Sequence, residues 1–137
     1  WISKNGGMTE QTVTVSEKTL KLGGVKFKRI QPTVDGLDGA WFLKEGIGYA
    51  LVAFLPDGSY FMVQDGKTAK GGKSGMERGT YKWDPKTTIF TRKILRDTNG
   101  TWGFSDDLKR EISLGKNKLT IQVEGEGSFK VSRVLPP

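Results

Sequence analysis

The side chains that most often carry out chemistry in proteins are missing from this sequence. It contains no Cys and no His, which removes the commonest general base, the commonest metal ligands and the thiol nucleophile. A catalytic mechanism would therefore depend on carboxylates. Asp106 and Asp107 are adjacent and would point to opposite faces of an extended strand, so they do not form an acid/base pair. The remaining candidates occur singly at predicted turns, where Asp bonds its own backbone: Asp57, Asp65, Asp84 and Asp97.

The glycine-rich stretch at residues 65–75 is the second place where chemistry could occur. Its Gly71-Gly72-Lys73 run lacks the spacing and the following helix that a phosphate-binding loop requires. The stretch has no large apolar side chain and three Lys, which favours a solvated connection, or alternatively a flap over the mouth of a barrel. We therefore expect a protein that is not an enzyme and that holds no metal and no cofactor.

Glu77 is the carboxylate with the most unusual predicted surroundings. In an extended strand it shares one face with Gly79, Tyr81 and Trp83. A carboxylate that points inward must be paired or hydrogen-bonded, and we expect Arg92 or Arg96 on the following strand as its partner. The alternatives are an exposed Glu at the start of a strand and a contact with a ligand.

A set of aromatic and polar residues could line a cavity for an apolar or stacking ligand. Packing of these side chains in an ordinary core is the alternative. The candidate ligand-binding residues are Tyr60, Met62, Glu77, Tyr81, Trp83, Arg92 and Trp102.

The elements that would position these residues are predicted to be strands. Apolar and polar residues alternate along almost the whole chain, which is typical of strands with one buried and one solvated face. Residues 11–30 are predicted to form a three-stranded meander, and residues 40–134 about eight or nine short antiparallel strands. The Asn99-Gly100 pair predicts a tight hairpin turn that leads into a short strand over residues 101–104. The expected fold class is all-β, with an antiparallel up-and-down barrel.

The two ends of the chain match each other when they are aligned in order. The matched pairs are Trp1 with Trp102, Val13 with Ile112, Val15 with Leu114, Leu20 with Leu119, Leu22 with Ile121, Lys26 with Lys130 and Arg29 with Arg133. The offset drifts from 101 through 99 to 104, as loop lengths do between homologous copies. The alternative is that any two meanders with Lys outside look alike. We expect residues 1–32 to be the last strands of a preceding repeat copy in a tandem array, and residues 33–137 to be the barrel domain.

Three strands with an apolar face cannot stay solvated as an open sheet without recruiting a partner. We therefore expect a homodimer or strand exchange through residues 11–30, or pairing of these residues with the barrel.

Charge and composition set the remaining expectations. The net charge of +7 permits attraction to polyanions, but a nucleic-acid site would need aromatics interleaved with the basic residues on one exposed face, so nucleic acid is not an expected partner. No stretch is long and apolar enough to cross a membrane as a helix. The cysteine-free, Gly-, Thr- and Lys-rich composition favours a bacterial protein outside the cytoplasm: secreted, periplasmic or at the cell surface.

One motif pair resembles a known family. Gly39-Ala40-Trp41 at the start of the first barrel strand, with Arg133 in the last strand, resembles the Gly-x-Trp and closing Arg of lipocalins and related calycin barrels. The segments Phe54 to Met62, Gly79 to Trp83 and Asp97 to Gly103 also resemble bacterial lipocalin-like domains of unassigned function. The resemblance covers about residues 37–135.

The resemblance implies a barrel whose open end holds a small apolar ligand, with the Arg133 guanidinium packed over Trp41 at the closed end. The barrel unit is shorter than a typical lipocalin, has no cysteines and shows no helix pattern after the barrel, which implies a smaller interior. The expected function is that of a non-enzymatic module outside the cytoplasm, with a structural or interaction role or a small apolar ligand in the barrel. The alternative is binding of an acidic polysaccharide or nucleic acid through the basic surface.

Overall fold

The structure, a computed structural model, describes residues 12–16, 18–22, 25–28, 35–45, 48–65, 73–100 and 103–135. These residues form eleven strands and no helix, which confirms the all-β prediction. The strands are β1 (Val13–Val15), β2 (Thr19–Leu22), β3 (Val25–Lys28), β4 (Gly39–Glu45), β5 (Gly48–Phe54), β6 (Ser59–Gln64), β7 (Gly75–Trp83), β8 (Ile89–Asp97), β9 (Arg110–Leu114), β10 (Lys118–Val123) and β11 (Gly127–Arg133). The chain divides into two compact units, Trp1–Ile30 and Gln31–Pro137.

The first unit contains the predicted meander. Strands β1, β2 and β3 form an antiparallel sheet in that order. Leu20 in the central strand lies opposite Val15 on one side and Phe27 on the other, so these apolar residues share one face of the sheet.

The second unit is a closed antiparallel barrel of eight strands. Each strand from β4 to β10 pairs with the next one in the chain, and β11 closes the barrel against β4 through the pairs Ser132–Phe42 and Arg133–Trp41. This connectivity is the predicted up-and-down barrel, in which β8 and β9 meet through the pairs Ile89–Glu111 and Phe90–Arg110.

The barrel has two different ends. At the lower end, where β4 begins, short turns join β5 to β6, β7 to β8 and β9 to β10. The first of these is the predicted Pro56-Asp57-Gly58 turn, in which Gly58 has a φ of 78° and Asp57 Oδ1 accepts a hydrogen bond from the Ser59 amide at 2.9 Å. At the upper end lie the turn from β10 to β11 and the long connection from β8 to β9.

The long connection is where the structure differs from the sequence-based prediction. The expected turn at Asn99-Gly100 is present, and Gly100 has a φ of 75°. The turn does not form the expected hairpin, because β8 ends at Asp97 and the next strand among the described residues begins at Arg110. Gly103 and Phe104, the described residues of the expected strand, lie outside any strand. Gly103 has a φ of 97°, which is incompatible with extended strand geometry. The connection instead enters the barrel.

Candidate functional site

A cavity of about 220 Å³ lies in the upper part of the barrel interior. Its wall comes from strands β4, β5, β6, β9, β10 and β11, whose inward positions alternate with outward ones, from the long connection and from the turn between β10 and β11. The residues that line it are Trp41, Leu43, Ala50, Val52, Met62, Gly103, Phe104, Asp106, Arg110, Ile121, Val123, Glu126, Phe129 and Val131. Most of these side chains are apolar, and the charged residues in the wall are Asp106, Arg110 and Glu126.

Trp41 is a fully buried wall residue and is fixed on two sides. Its indole Nε1 donates a hydrogen bond to the carbonyl oxygen of Leu37 at 2.7 Å. The Arg133 guanidinium lies over the indole ring, 4.3 Å from its centroid, and donates to the Gly36 carbonyl at 3.1 Å. Burial lowers the pKa of Arg133, although Asp38 opposes the effect. This is the contact between Trp41 and Arg133 that the lipocalin resemblance implies, and Gly39 starts the same strand with a φ of 120°.

Phe104 lies between the cavity and a part of the barrel interior that aromatic side chains fill. Its ring centroid lies 5.4 Å from that of Tyr60 and 5.2 Å from that of Phe90. Phe54 packs against the same group, 5.8 Å from Phe90 and 4.9 Å from Tyr81. These five aromatic side chains, which we call the aromatic cluster, fill the part of the barrel next to β6, β7 and β8.

Glu77 anchors Phe104 from inside the sheet. The carboxylate is fully buried; one oxygen accepts a short hydrogen bond from the Tyr60 hydroxyl, and the other accepts one from the Phe104 amide at 2.9 Å. Burial raises the pKa of Glu77, and the two hydrogen bonds oppose that shift. Burial, together with Glu77, also raises the pKa of Tyr60.

The predicted ion pair of Glu77 with Arg92 or Arg96 is wrong. Among the described residues, Arg92 forms its ion pair with Asp106, and Arg96 is exposed on β8. The inward orientation of Glu77 was expected correctly, but a hydroxyl and a backbone amide satisfy it. The alternation of apolar and polar residues predicts which face of the sheet a side chain points to. It does not predict which loop packs against that side chain.

Two glycines make this packing possible. A Cβ at Gly79 would lie 2.8 Å from Cε1 of the Tyr60 ring, its cross-strand neighbour. A Cβ at Gly103 would lie 2.8 Å from Glu77 Oε2 and would also collide with Met62. Only a residue without a side chain lets the connection approach Glu77 so closely.

Three charged residues hold the rest of the connection. Arg92 donates hydrogen bonds to the carbonyls of Phe104 at 2.8 Å and Leu108 at 3.0 Å, and to the Asp106 carbonyl. Arg110 binds both carboxylate oxygens of Asp106 at 2.6 Å and the Gly103 carbonyl at 2.6 Å. We call Arg92, Asp106 and Arg110 the charged clamp.

Asp106 lies between two cations in this clamp. Its burial by itself would raise the pKa of the carboxyl, but the hydrogen bonds from Arg110 and the Leu108 amide and the charges of both arginines outweigh it, and the pKa of Asp106 is lowered. Burial and the charge of Arg110 lower the pKa of Arg92, against the attraction of Asp106. The clamp therefore holds Asp106 ionised.

The predicted ligand-binding residues divide into different environments. Met62 lines the cavity, whereas Tyr60 and Glu77 lie behind Phe104. Tyr81 donates to Asp38 at 3.1 Å, and Trp83 Nε1 donates to the Ile112 carbonyl at 2.8 Å. Arg92 belongs to the charged clamp, and Trp102 lies outside the described residues.

Several cavity residues were not anticipated. Ile121, Val123, Phe129 and Val131 occupy the inward positions of β10 and β11, where alternation of apolar residues already indicates an inner face. Arg110 and Asp106 had no comparable signal, because adjacent Asp residues and scattered Arg residues usually lie on the surface.

The residues of the cavity wall are suited to binding a ligand. The ionised groups on the cavity wall include Asp106 and Arg110, which satisfy each other. Within the described residues there is no group of three or more acidic side chains that could hold a metal ion. The same residues include no helix long and apolar enough to span a membrane.

Comparison with known proteins gives no match, neither to a family model, nor to a curated protein, nor to a solved structure.

Proposed function

We propose that the barrel is a non-enzymatic binding module that takes a small apolar ligand into its cavity. The observation that carries the proposal is the cavity of about 220 Å³ beside Trp41, Val52 and Val131. An apolar ligand and apolar walls both leave water on binding, so the hydrophobic effect favours the complex. The volume is below the roughly 300 Å³ at which drug-sized pockets begin, so the ligand is small.

We also propose that the module is lipocalin-like and works outside the cytoplasm. The closed antiparallel barrel of eight strands and the packing of Arg133 over Trp41 support the first part. The second part is supported by the cysteine-free, Gly- and Lys-rich composition. A parent gene that encodes a secretion signal would agree with it, and a parent protein found in the cytoplasm would refute it.

We further propose that residues 1–32 derive from a preceding copy of the same module in a tandem array. The support is the ordered match between the two ends of the sequence, from Val13 with Ile112 to Lys26 with Lys130. The competing proposal for the same residues is pairing with a second copy of the chain.

Titration with a series of linear alcohols tests the ligand. We expect amide resonances of Ala50, Val52 and Val131 to shift in NMR spectra, and binding to tighten by about 0.8 kcal/mol for each added CH₂ until the cavity is full. A series in which those resonances stay unmoved would refute the proposal.

A matched pair of variants separates cavity binding from surface binding. Ala50→Phe places a ring in the cavity, since Ala50 is buried in its wall, and should abolish binding. Leu51→Phe changes the next residue along β5, which points to the opposite face, and should leave binding unchanged. Equal affinity of both variants would place the alcohol elsewhere.

A second candidate function, binding of an acidic polysaccharide, has one specific observation in its favour. The outer face of β7 and β8 carries four exposed basic side chains: Arg78, Lys82, Lys93 and Arg96. Arg78 lies directly opposite Arg96 in the strand pair, and two like charges side by side destabilise a sheet slightly unless an anion bridges them. Arg92, on the same strand as Lys93 and Arg96, belongs to the charged clamp and not to this surface.

Retention on heparin distinguishes this candidate. If it is correct, the wild-type protein binds heparin at low salt. The variant with both Arg78→Gln and Arg96→Gln should then elute at a lower salt concentration than wild type. Lys116→Gln with Lys118→Gln at the lower end is the control and should elute unchanged. Absence of retention at low salt would eliminate the candidate.

A further inference from the structure

The sheet β1–β3 and strands β9–β11 of the barrel share one pairing register. Val15 lies opposite Leu20, and Leu20 opposite Phe27. At the matched positions of the barrel, Leu114 lies opposite Leu119, and Leu119 opposite Val131.

The correspondence extends to the neighbouring rows of both sheets. The row Val13, Leu22 and Val25 corresponds to Ile112, Ile121 and Phe129, the row Thr14, Lys21 and Lys26 to Ser113, Thr120 and Lys130, and the pair Thr19 and Lys28 to Lys118 and Ser132. In an antiparallel pair one matched row fixes the others, so the agreement amounts to two registers, that of β1 with β2 and that of β2 with β3. A shift of one residue in either register would invert the side chains of a strand between the two faces.

The turns at the start of the two sheets also agree. The Ser16 amide donates to the Thr19 carbonyl at 2.8 Å, and the Gly115 amide donates to the Lys118 carbonyl at 2.8 Å. Each turn has the same length and connects the same two matched strands.

The surroundings of the two sheets differ sharply. Ile112 and Val131 point into the barrel and are 0% and 4% exposed. Their counterparts Val13 and Phe27 are 51% and 48% exposed. Among the described residues, the apolar face of β1–β3 is therefore about half exposed, whereas the matched face of β9–β11 is buried.

In the barrel, strands β9–β11 are completed by neighbours of known identity. Strand β9 pairs with β8 and strand β11 pairs with β4, and the five strands β4–β8 close the circle. By the shared register, the outer edge of β1 corresponds to the edge of β9 that pairs with β8, and the outer edge of β3 corresponds to the edge of β11 that pairs with β4.

We propose that the apolar face and the two edges of β1–β3 are a docking surface for a five-stranded antiparallel sheet of the β4–β8 type, which closes with them into a second barrel. The partner strand beside β3 pairs with Lys28 as Phe42 of β4 pairs with Ser132. The inference rests on the proposed repeat and does not depend on the proposed ligand.

The test is an extended chain in which a copy of residues 33–101 precedes the complete chain, residues 1–137. Hydrogen–deuterium exchange is measured on the peptides covering residues 13–28, which occur once in both chains. Addition of the five strands should slow exchange of these amides at least about 100-fold, towards the rates of β9–β11 in the same molecule, because local opening then requires opening of a closed barrel.

Two variants of the extended chain control for unspecific effects. Phe27→Lys places a charge where its counterpart Val131 is buried, and the added protection should be lost. Lys26→Thr changes the opposite face, where its counterpart Lys130 is exposed, and the protection should remain.

The proposal is overturned if residues 13–28 exchange equally fast in the extended and the original chain. It is also overturned if they are already protected in the original chain and its mass, measured by light scattering, doubles with concentration, since the partner is then a second copy. Alcohol binding is measured in the same extended molecule at Val131, a cavity residue that occurs once there, so failure of the ligand proposal is recognised separately.

Discussion

On the β6–β8 side of the barrel interior, five aromatic side chains pack against one another, whereas on the β10–β11 side Phe129 and several aliphatic side chains border a cavity of about 220 Å³. The strands on both sides alternate in the same way. The difference arises at the upper end, where the long connection from β8 to β9 inserts Phe104 while the turn from β10 to β11 contributes only Glu126 to the cavity rim. In this barrel, the connections decide which half is filled.

The contacts that hold the connection differ from those that form the cavity wall. Glu77 and the charged clamp fix Phe104 with hydrogen bonds to backbone groups, so its position is defined. Most of the described side chains that line the cavity with Val52 and Ile121 are apolar, and apolar contacts are not directional, so this wall can adjust to a ligand. The comparison thus separates a rigid half from an adaptable one.

Removal of Phe104 should have the largest effect on this comparison. Phe104→Ala deletes a buried ring from the aromatic cluster and joins its space to the cavity, so the free energy of unfolding should fall by about 3–5 kcal/mol. Urea denaturation measures the change. Phe61→Ala, on the outer face of β6, where the ring is 37% exposed, should cost well under half as much. Equal losses would mean that Phe104 does not fill the interior.

Loss of Asp106 should have the next largest effect. Asp106→Ala leaves the buried cation of Arg110 and the nearby Arg92 without their carboxylate, and we expect a loss of about 2–3 kcal/mol in the free energy of unfolding. Asp107→Ala is the matched control, because Asp107 is the adjacent and exposed residue, and should change stability by less than about 0.5 kcal/mol. Similar values for both would show that the clamp contributes nothing.

Glu77 should give the rigid half a distinct pH dependence. Because burial raises its folded-state pKa above the ordinary 4.5, the unfolded carboxyl ionises first as pH rises. The contribution of Glu77 to stability therefore falls from about pH 4.5 upward until the folded pKa is reached, by at most about 1.4 kcal/mol per pH unit. Asp106 has the opposite sign, since its lowered pKa makes stability fall as pH drops below about 4.

Urea denaturation of wild type and Glu77→Gln between pH 4 and 8 isolates this contribution. The stability of wild type relative to Glu77→Gln should decline as pH rises, while Glu124→Gln in an exposed turn should follow wild type throughout. A difference that grows with pH would contradict the raised pKa.

The sequence allowed the sheet to be predicted better than the loops. Alternation placed Tyr60, Met62 and Glu77 inside, and the Gly-x-Trp motif with Arg133 identified the contact at Trp41. These features depend on local periodicity or on a motif, which a single sequence contains.

The connection from β8 to β9 could not be predicted in the same way. Asn99-Gly100 followed by apolar residues is typical of a hairpin, but the path of the chain depends on partners distant in sequence, namely Glu77 for Phe104 and Arg92 for Asp106. A long-range hydrogen bond to the backbone has no periodic pattern. Phe104 shapes the cavity, so only part of the cavity wall could be predicted from the sequence. Of the predicted ligand-binding residues, Met62 lines the cavity.

The smallest expected effect concerns the support of Trp41, which borders the adaptable half. Arg133→Lys keeps the charge but loses the planar group over the indole and its fixed hydrogen bond to Gly36, so the free energy of unfolding should fall by about 1 kcal/mol. Lys130→Arg on the same strand changes an exposed cation and should have almost no effect. If Lys at position 133 matches wild type in urea denaturation, stacking on Trp41 adds nothing to stability. A loss of stability together with weaker alcohol binding would show that the cavity needs Trp41 held in place. Arg133 does not line the cavity itself, so its substitution would act on the ligand through the Trp41 ring, which does.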